Sequence, residues 1–261
     1  MSTAKSIAPA VSREALLSHC NTLLQPENFK DYGPNGLQVE GKGEIRKIVS
    51  GVTASLALID AAIAAEADAI FVHHGLFWRG QDGRVVGWMK QRLAKLLAHD
   101  INLYAYHLPL DAHPELGNNA QLGKVLGFEA LPQRFGDYNL GWLGKPQQNH
   151  AAKLAQHIEH TLGRKVQLIT APAELQREIK TVAWCTGGAQ DWFEAAIAAG
   201  ADAFITGELS EPQTHLAREC GVAFLACGHH ATERYGAPAA AAHIAAQLGL
   251  EHEFVDVPNP A

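Results

Sequence analysis

Apolar and polar positions change period repeatedly along this chain. Ile48 to Val52 is a short β-branched run, the stretch after it is alanine-rich through Ala65, and Ala69 to Val72 is a second unbroken apolar run. Short apolar runs bounded by turn residues read as buried strands. The alanine-rich stretch reads as a helix, with Thr53 or Ser55 placed to cap it. In "GWMKQRLAKLLAHD", Trp88, Leu93, Leu96 and Leu97 fall on one side at helical spacing, and Ile101 to Tyr106 is the next strand. Strands alternating with helices imply parallel pairing with right-handed crossovers.

The same pattern returns later. "AAIAAEADAIFVHHG" (Ala61 to Gly75) lies against "AAIAAGADAFITGEL" (Ala195 to Leu209) at an offset of 134, with eight of the first nine positions identical. Upstream, "KIVSGVT" lies against "TVAWCTG" at the same offset. A duplication follows: two similar α/β halves, residues 12–128 and 178–261, with an inserted βαβ-like module at 129–177. In the middle, "GNNAQLGKVLG" predicts a helix ending at Gly127, "YNLGWLG" a strand, "NHAAKLAQHIEHTLG" a helix and "KVQLIT" a strand. "APAAAAHIAAQLG" and "HEFVDV" predict a last helix and strand. No low-complexity linker separates the halves, so they are expected to pack as one unit.

The halves also share a chemical phrase. "YAYHLPLD" ends in His107 and Asp111; "LACGHHATE" carries His229 and Glu233 at the same spacing, 122 residues on. Sites in α/β sheets gather beyond the carboxyl ends of strands, and His73, His74, His107, His229 and His230 all follow predicted strands. Neighbours on an extended chain point to opposite sides, so His73 and His74 suit one ion each rather than one ion together. Carboxylates can bridge two cations, and two carboxylates among several imidazoles compose a two-metal site. The metal-ligating set expected is His73, His74, Asp111, His229 and Glu233. His107 and His230 stay open between ligand, support and structure. Where the first half has "VHHG" the second has "TGE", which puts Glu208 at the position of His74. His107 or Glu208 is the expected proton carrier. The nine other histidines read as packed or surface residues, and Cys227 as an inert buried thiol. "CTGGAQDW" is a glycine-bearing turn that could cradle a phosphate or merely enter a helix. "GLFWRGQDG", with Phe77 and Trp78, is a lid or a subunit contact.

Composition narrows the classes. The 261 residues are 47% hydrophobic and 18% charged, enough for a substantial core. A net charge of -6 argues against nucleic-acid binding. The first fourteen residues lack the apolar segment of a secretory leader, and no run approaches about 18 apolar residues, so no membrane span is expected. Four cysteines without a CxxC pair read as reduced cytosolic thiols. GxxxxGK[ST], GxGxxG and GxSxG are absent.

"DYGPNGLQVEG", "ADAIFVHHGLFW", "INLYAYHLPLDAHPELGNNAQL", "VAWCTGGAQ", "DAFITGELSE" and "GHHATERYG" together resemble the Nif-three-like dinuclear metal-centre family. The resemblance spans nearly the whole chain and is weakest from Glu129 to Lys180. It implies two like α/β halves around a binuclear metal cleft, and homo-hexameric rings. It implies metal ligation by His73, His74, Asp111, His229 and Glu233, with His107 close by. It also brings the label of GTP cyclohydrolase type 2 homologue. The expectation is a cytoplasmic, metal-dependent hydrolase of a small molecule, a nucleotide such as GTP being one candidate. It would use two divalent ions per chain, drawn from zinc, iron, manganese, cobalt or nickel. The rival is a non-enzymatic metal carrier or regulatory interaction protein.

Overall fold

The β-branched runs become central strands, and their burial is continuous along Lys47–Thr53 and Ala69–His74 rather than alternating. Continuous burial means that both sheet faces are covered, as parallel pairing with crossover helices requires. In a computed structural model of the chain, residues 10–261 are described; the leader expectation falls largely on residues 1–9, outside them. One unit comprises the residues up to Leu110 with Ala237–Val257, and the other Asp111–Gly236 with Pro258–Ala261.

The first unit holds a five-stranded sheet. Across it run Glu251–Phe254, Lys47–Thr53, Ala69–His74, Asn102–Ala105 and Gly36–Val39, all parallel but the last. Its core includes Val49, Leu58, Ile59, Ile70, Val72, Leu96 and Leu103. Ser55 is the helix cap, its Oγ accepting the Leu58 N–H at 3.2 Å, and Leu56–Ala64 follows. The second unit holds six strands in the order Glu129–Phe135, Gly141–Lys145, Val182–Trp184, Ala203–Thr206, Ala223–Ala226 and Gln167–Ile169. Leu122, Leu154, Ile158, Trp184, Ile205 and Leu225 belong to its core.

The duplication is written into the ladders. Ile48 pairs with Ala69, and Val182 with Ala203, each shifted by 134; Ala69 pairs with Asn102, and Ala203 with Ala223, a shift of 121 on the third strand. The anchors repeat too. Asp68 Oδ2 accepts the Arg46 and Lys47 N–H groups at 2.7 and 3.0 Å; Asp202 Oδ2 accepts those of Lys180 and Thr181 at 2.9 and 3.0 Å. Gly36–Val39 and Gln167–Ile169 both run antiparallel to the third strand of their half.

Several expectations need correcting. The chain does not divide at 128/129 and 177/178. The middle strand Gly141–Lys145 pairs with Val182–Trp184, which makes the middle part of the second sheet, while Glu251–Phe254 returns to pair with Lys47–Thr53. In the helix Gly87–Ala98, Met89 and Leu96 are buried, whereas Trp88 and Leu97 are exposed. Phe77 and Trp78 are half-buried, and Phe77 packs on the core; the exposed apolar side chains of this stretch are Val85, Val86 and Trp88. The phrase shared by the halves is also one residue out of step. Strand pairing sets His107 against Gly228, not His229. Accordingly His107 precedes the helix Leu108–Ala112, whereas His229 opens the helix His229–Glu233.

Candidate metal centre

In the first unit the sheet delivers three imidazoles to one place. His73 and His74 end the strand Ala69–His74, and His107 follows Asn102–Ala105 on the neighbouring strand. Each of the three offers a ligand atom, and these lie within 4.8 Å of one another. His73 is fully buried, and its Nδ1 meets the Tyr106 carbonyl at 3.1 Å. A carbonyl only accepts, so Nδ1 carries the proton and Nε2 keeps its lone pair. His74 Nδ1 meets Thr53 Oγ1 at 3.2 Å. His107 Nδ1 meets Asp31 Oδ1 at 2.7 Å. Burial favours the neutral Asp31 carboxyl, but the hydrogen bond and charge of His107, with Asn35 and the Tyr32 N–H, outweigh it and hold the group down at about 2.

In the second unit the acids are buried. Asp111 and Glu233 are 7% and 3% exposed. Asp111 Oδ1 accepts from Asn118 Nδ2 at 2.8 Å, and the Asn118 oxygen accepts the Gly236 N–H at 2.9 Å, which fixes that amide. His229 and Glu233 share a helical turn, with Nε2 3.1 Å from Glu233 Oε2, while Nδ1 meets Glu208 Oε1 at 2.6 Å. The hydrogen bond to Glu233 raises the His229 pKa most. Burial opposes it, and the Glu233 charge and Glu208 add to it, leaving the imidazolium favoured to about 9. A divalent cation would satisfy the same donors that this proton now satisfies. Imidazole nitrogen with carboxylate oxygen is a set that first-row divalent ions accept, so the residues fit such a metal.

The glycine-bearing turn "CTGGAQDW" serves this cluster. Gly187 has φ +68°, and a Cβ there would stand 2.0 Å from Glu233 Oε1. Its N–H donates to Thr232 Oγ1 at 3.0 Å, so the turn holds the acid-bearing helix.

The profile of the family described as Duf34/NIF3 (NGG1p interacting factor 3) matches residues 11–260. The chain belongs to the Duf34/NIF3 family. A relative from Neisseria meningitidis serogroup A / serotype 4A, named GTP cyclohydrolase 1 type 2 homolog, is 54% identical, covering 96% of this chain and all of its own. One of the same name from Pseudomonas aeruginosa is 49% identical, covering 97% and 100%. Among solved structures, one titled "Structural genomics, protein ybgI, unknown function" superposes with TM-score 0.91 at 47% identity, covering 96% of this chain and all of that one. The protein TTHA1606 from Thermus thermophilus gives 0.84 at 34% identity, again covering 96% and 100%.

Within this Duf34/NIF3 chain, the first unit brings His73, His74 and His107 together, and the second brings His229, Glu233 and Glu208 together. His230 is buried, and its N–H donates to the Ala261 carbonyl at 3.1 Å. Cys227 is buried, and burial pushes its thiol pKa up, as an inert core cysteine requires. Sequence reasoning missed Asp31, Asn35, Asn118, Asn119 and Thr232. Asn119 donates to the Asp111 carbonyl at 3.2 Å and accepts the Thr186 N–H at 2.9 Å. The paired asparagines of "GNNAQL" were a signal, because an amide inside an apolar helix face needs a polar partner. Among the described residues no helix is long and apolar enough to cross a membrane.

Proposed function

We propose that the chain is a binuclear metal-dependent hydrolase of a small molecule. The observation that carries this reading is the convergence of three imidazoles in the first unit, with ligand atoms within 4.8 Å of one another. His73 and His74 would hold metal from the first unit, and Asp111, His229 and Glu233 from the second. Divalent ions there would supply Lewis-acid polarisation of the bond attacked and acidify water. His107 and Glu208 would take up and return the proton, each already on a hydrogen bond that orients it. The names of the relatives point to a nucleotide such as GTP as substrate, and the same reading takes the chain as a cytoplasmic homo-hexamer.

Elemental analysis after reconstitution with zinc, iron, manganese, cobalt or nickel tests the centre, with about two equivalents expected. Turnover of nucleotides by the loaded chain tests the activity. Stable metal uptake with no turnover across a nucleotide and metabolite panel would replace the hydrolase with a carrier. Uptake of a single equivalent would replace the binuclear centre.

A further inference from the structure

The first unit contains a carboxylate that the hydrolase reading leaves without a task. Asp31 lies in the loop "DYGPNG", 76 residues before His107, and its side chain is 2% exposed. Four N–H groups converge on it. Oδ1 takes the Tyr32 N–H at 2.6 Å and His107 Nδ1 at 2.7 Å; Oδ2 takes the Leu108 N–H and Asn35 Nδ2, both at 2.9 Å. Two donors on each oxygen fill the capacity of an ionised carboxylate.

The proton positions follow from donors that cannot reverse. The backbone N–H of His107 donates to Asn35 Oδ1 at 2.7 Å. That contact identifies the oxygen end of the Asn35 amide, so the other end is a donor and points at Asp31 Oδ2. The Leu108 N–H points at the same oxygen. Asp31 therefore accepts everywhere, and the group facing it from His107 must be Nδ1–H. A neutral ring then carries its lone pair on Nε2.

The ring is also held in place. Trp78 stands edge-on to it at 5.1 Å and 89°, and Tyr32 at 6.0 Å and 70°. The ring centroids of His73 and His74 lie 4.9 and 5.8 Å away. Arg79 ties the two loops together, its Nη2 donating to the Asp31 carbonyl and its N–H to the Tyr32 carbonyl, both at 2.6 Å.

We propose that Asp31 is a positioning residue which fixes His107 as the Nδ1–H tautomer and so presents an Nε2 lone pair to the His73/His74 cluster. The functional weight of this rests on the hydrolase reading, in which His107 accepts a proton and needs that lone pair. Asn35 is the upstream member of the relay, since it orients the carboxylate that orients the ring. A carboxylate that keeps an imidazole in its working tautomer is worth about 10⁴-fold in rate in a serine protease when it is changed to the amide.

The test is the nitrogen spectrum of the full chain labelled with ¹⁵N-histidine. It is treated with chelator and held above the imidazole titration range. His107 is assigned by the signal that His107→Gln removes. The wild-type ring should show its pyridine-type nitrogen at Nε2; finding it at Nδ1 overturns the proposal without any variant. In Asp31→Asn the amide oxygen should take the Oδ2 place, where both donors are fixed, because at Oδ1 only the Tyr32 N–H is fixed and the His107 ring can change tautomer. Its NH₂ then faces His107, and the pyridine-type signal should move to Nδ1. Asp31→Glu keeps an all-acceptor group, and the signal should stay at Nε2. If Asp31 only ties the loop to Leu108, Asn and Glu will behave alike, and the proposal falls. Metal content of Asp31→Asn should equal that of the wild type; loss of an equivalent would make Asp31 a support for a ligand instead. A wild-type chain that takes up no metal would sink the hydrolase reading, and the chelated spectra would still decide the tautomer.

Discussion

The two halves share a scaffold and differ in chemistry. Each anchors its first strand on an aspartate, Asp68 or Asp202, through the same two backbone N–H groups. Beyond the third strand of each stands an imidazole whose Nδ1 meets a carboxylate, at 2.7 Å for His107 and 2.6 Å for His229. The carboxylates come from different places. Asp31 belongs to a loop ahead of the first sheet and is buried; Glu208 lies in the loop after the strand Ala203–Thr206 and is 47% exposed. His229 has a second carboxylate, Glu233, on its other nitrogen. On the third strand the ladder repeats at an offset of 121 and the histidines at 122, so the pairing of the strands is kept between the halves and the place of the histidine is not. A repeat therefore identifies equivalent elements more securely than equivalent site residues.

The largest expected effect tests the shared anchor. The Asp68 side chain is 12% exposed, and its carboxylate also pairs with Lys42 at 2.7 Å. Asp68→Ala strands two N–H donors that held charge-assisted bonds, at a cost of about 4 kcal/mol. Asp202 is more open, with its side chain 22% exposed, so water can replace part of what Asp202→Ala removes. That change should cost about 2 kcal/mol. Denaturant unfolding followed by hydrogen exchange in each sheet measures both. Equal losses would mean that exposure does not set what the anchor contributes, and negligible losses in both would mean that it supports neither sheet.

Next is the division between ligand and proton carrier. Glu233→Gln replaces a carboxylate that is proposed to neutralise cations with a neutral amide, and should weaken metal binding by about 100-fold, the upper end of what changes around a site cost. His107→Gln alters no proposed ligand and should stay within about 10-fold. Competition with a chromophoric chelator reads both. Comparable losses would move His107 into the ligand set and erase the distinction between the halves.

Much of this was legible before the fold was known. Unbroken runs such as Ile48–Val52 and Ala69–Val72 had to be buried on both faces, and strand ends had to carry the histidines. The partition was not legible, because Glu251–Phe254 pairs with a strand some 200 residues upstream, and no local pattern encodes a partner at that distance. Spacing alone does not identify the exposed face of Gly87–Ala98, because Trp88 and Leu97 satisfy helical spacing as well as Met89 and Leu96 do. Asp31 was invisible for a similar reason. A lone aspartate in a glycine- and proline-bearing loop reads as turn chemistry, and only the fold shows that it reaches His107.

The smallest effect separates the halves by pH. Asp31 is held at about 2 against an ordinary 3.8, so the folded state prefers its ionised form. A depressed carboxyl contributes its stability above the unfolded value and loses it as pH falls through the folded one. The contribution is about 2 kcal/mol, present above roughly pH 4 and gone near pH 2, and it belongs to the first half. His229 runs the other way. Its pKa is raised from 6.5 to about 9, so in chelated protein its contribution is complete below 6.5 and disappears as pH rises through about 9. The first half should therefore loosen in acid and the second in mild alkali. Hydrogen exchange at the strands Ala69–His74 and Ala203–Thr206 across the pH range reads each half by itself. Asp31→Asn should flatten the acid limb alone, and Glu233→Gln the alkaline limb alone. An acid limb that survives Asp31→Asn, or two limbs in the same half, would show that the two carboxylate–imidazole couples do not divide the molecule in this way.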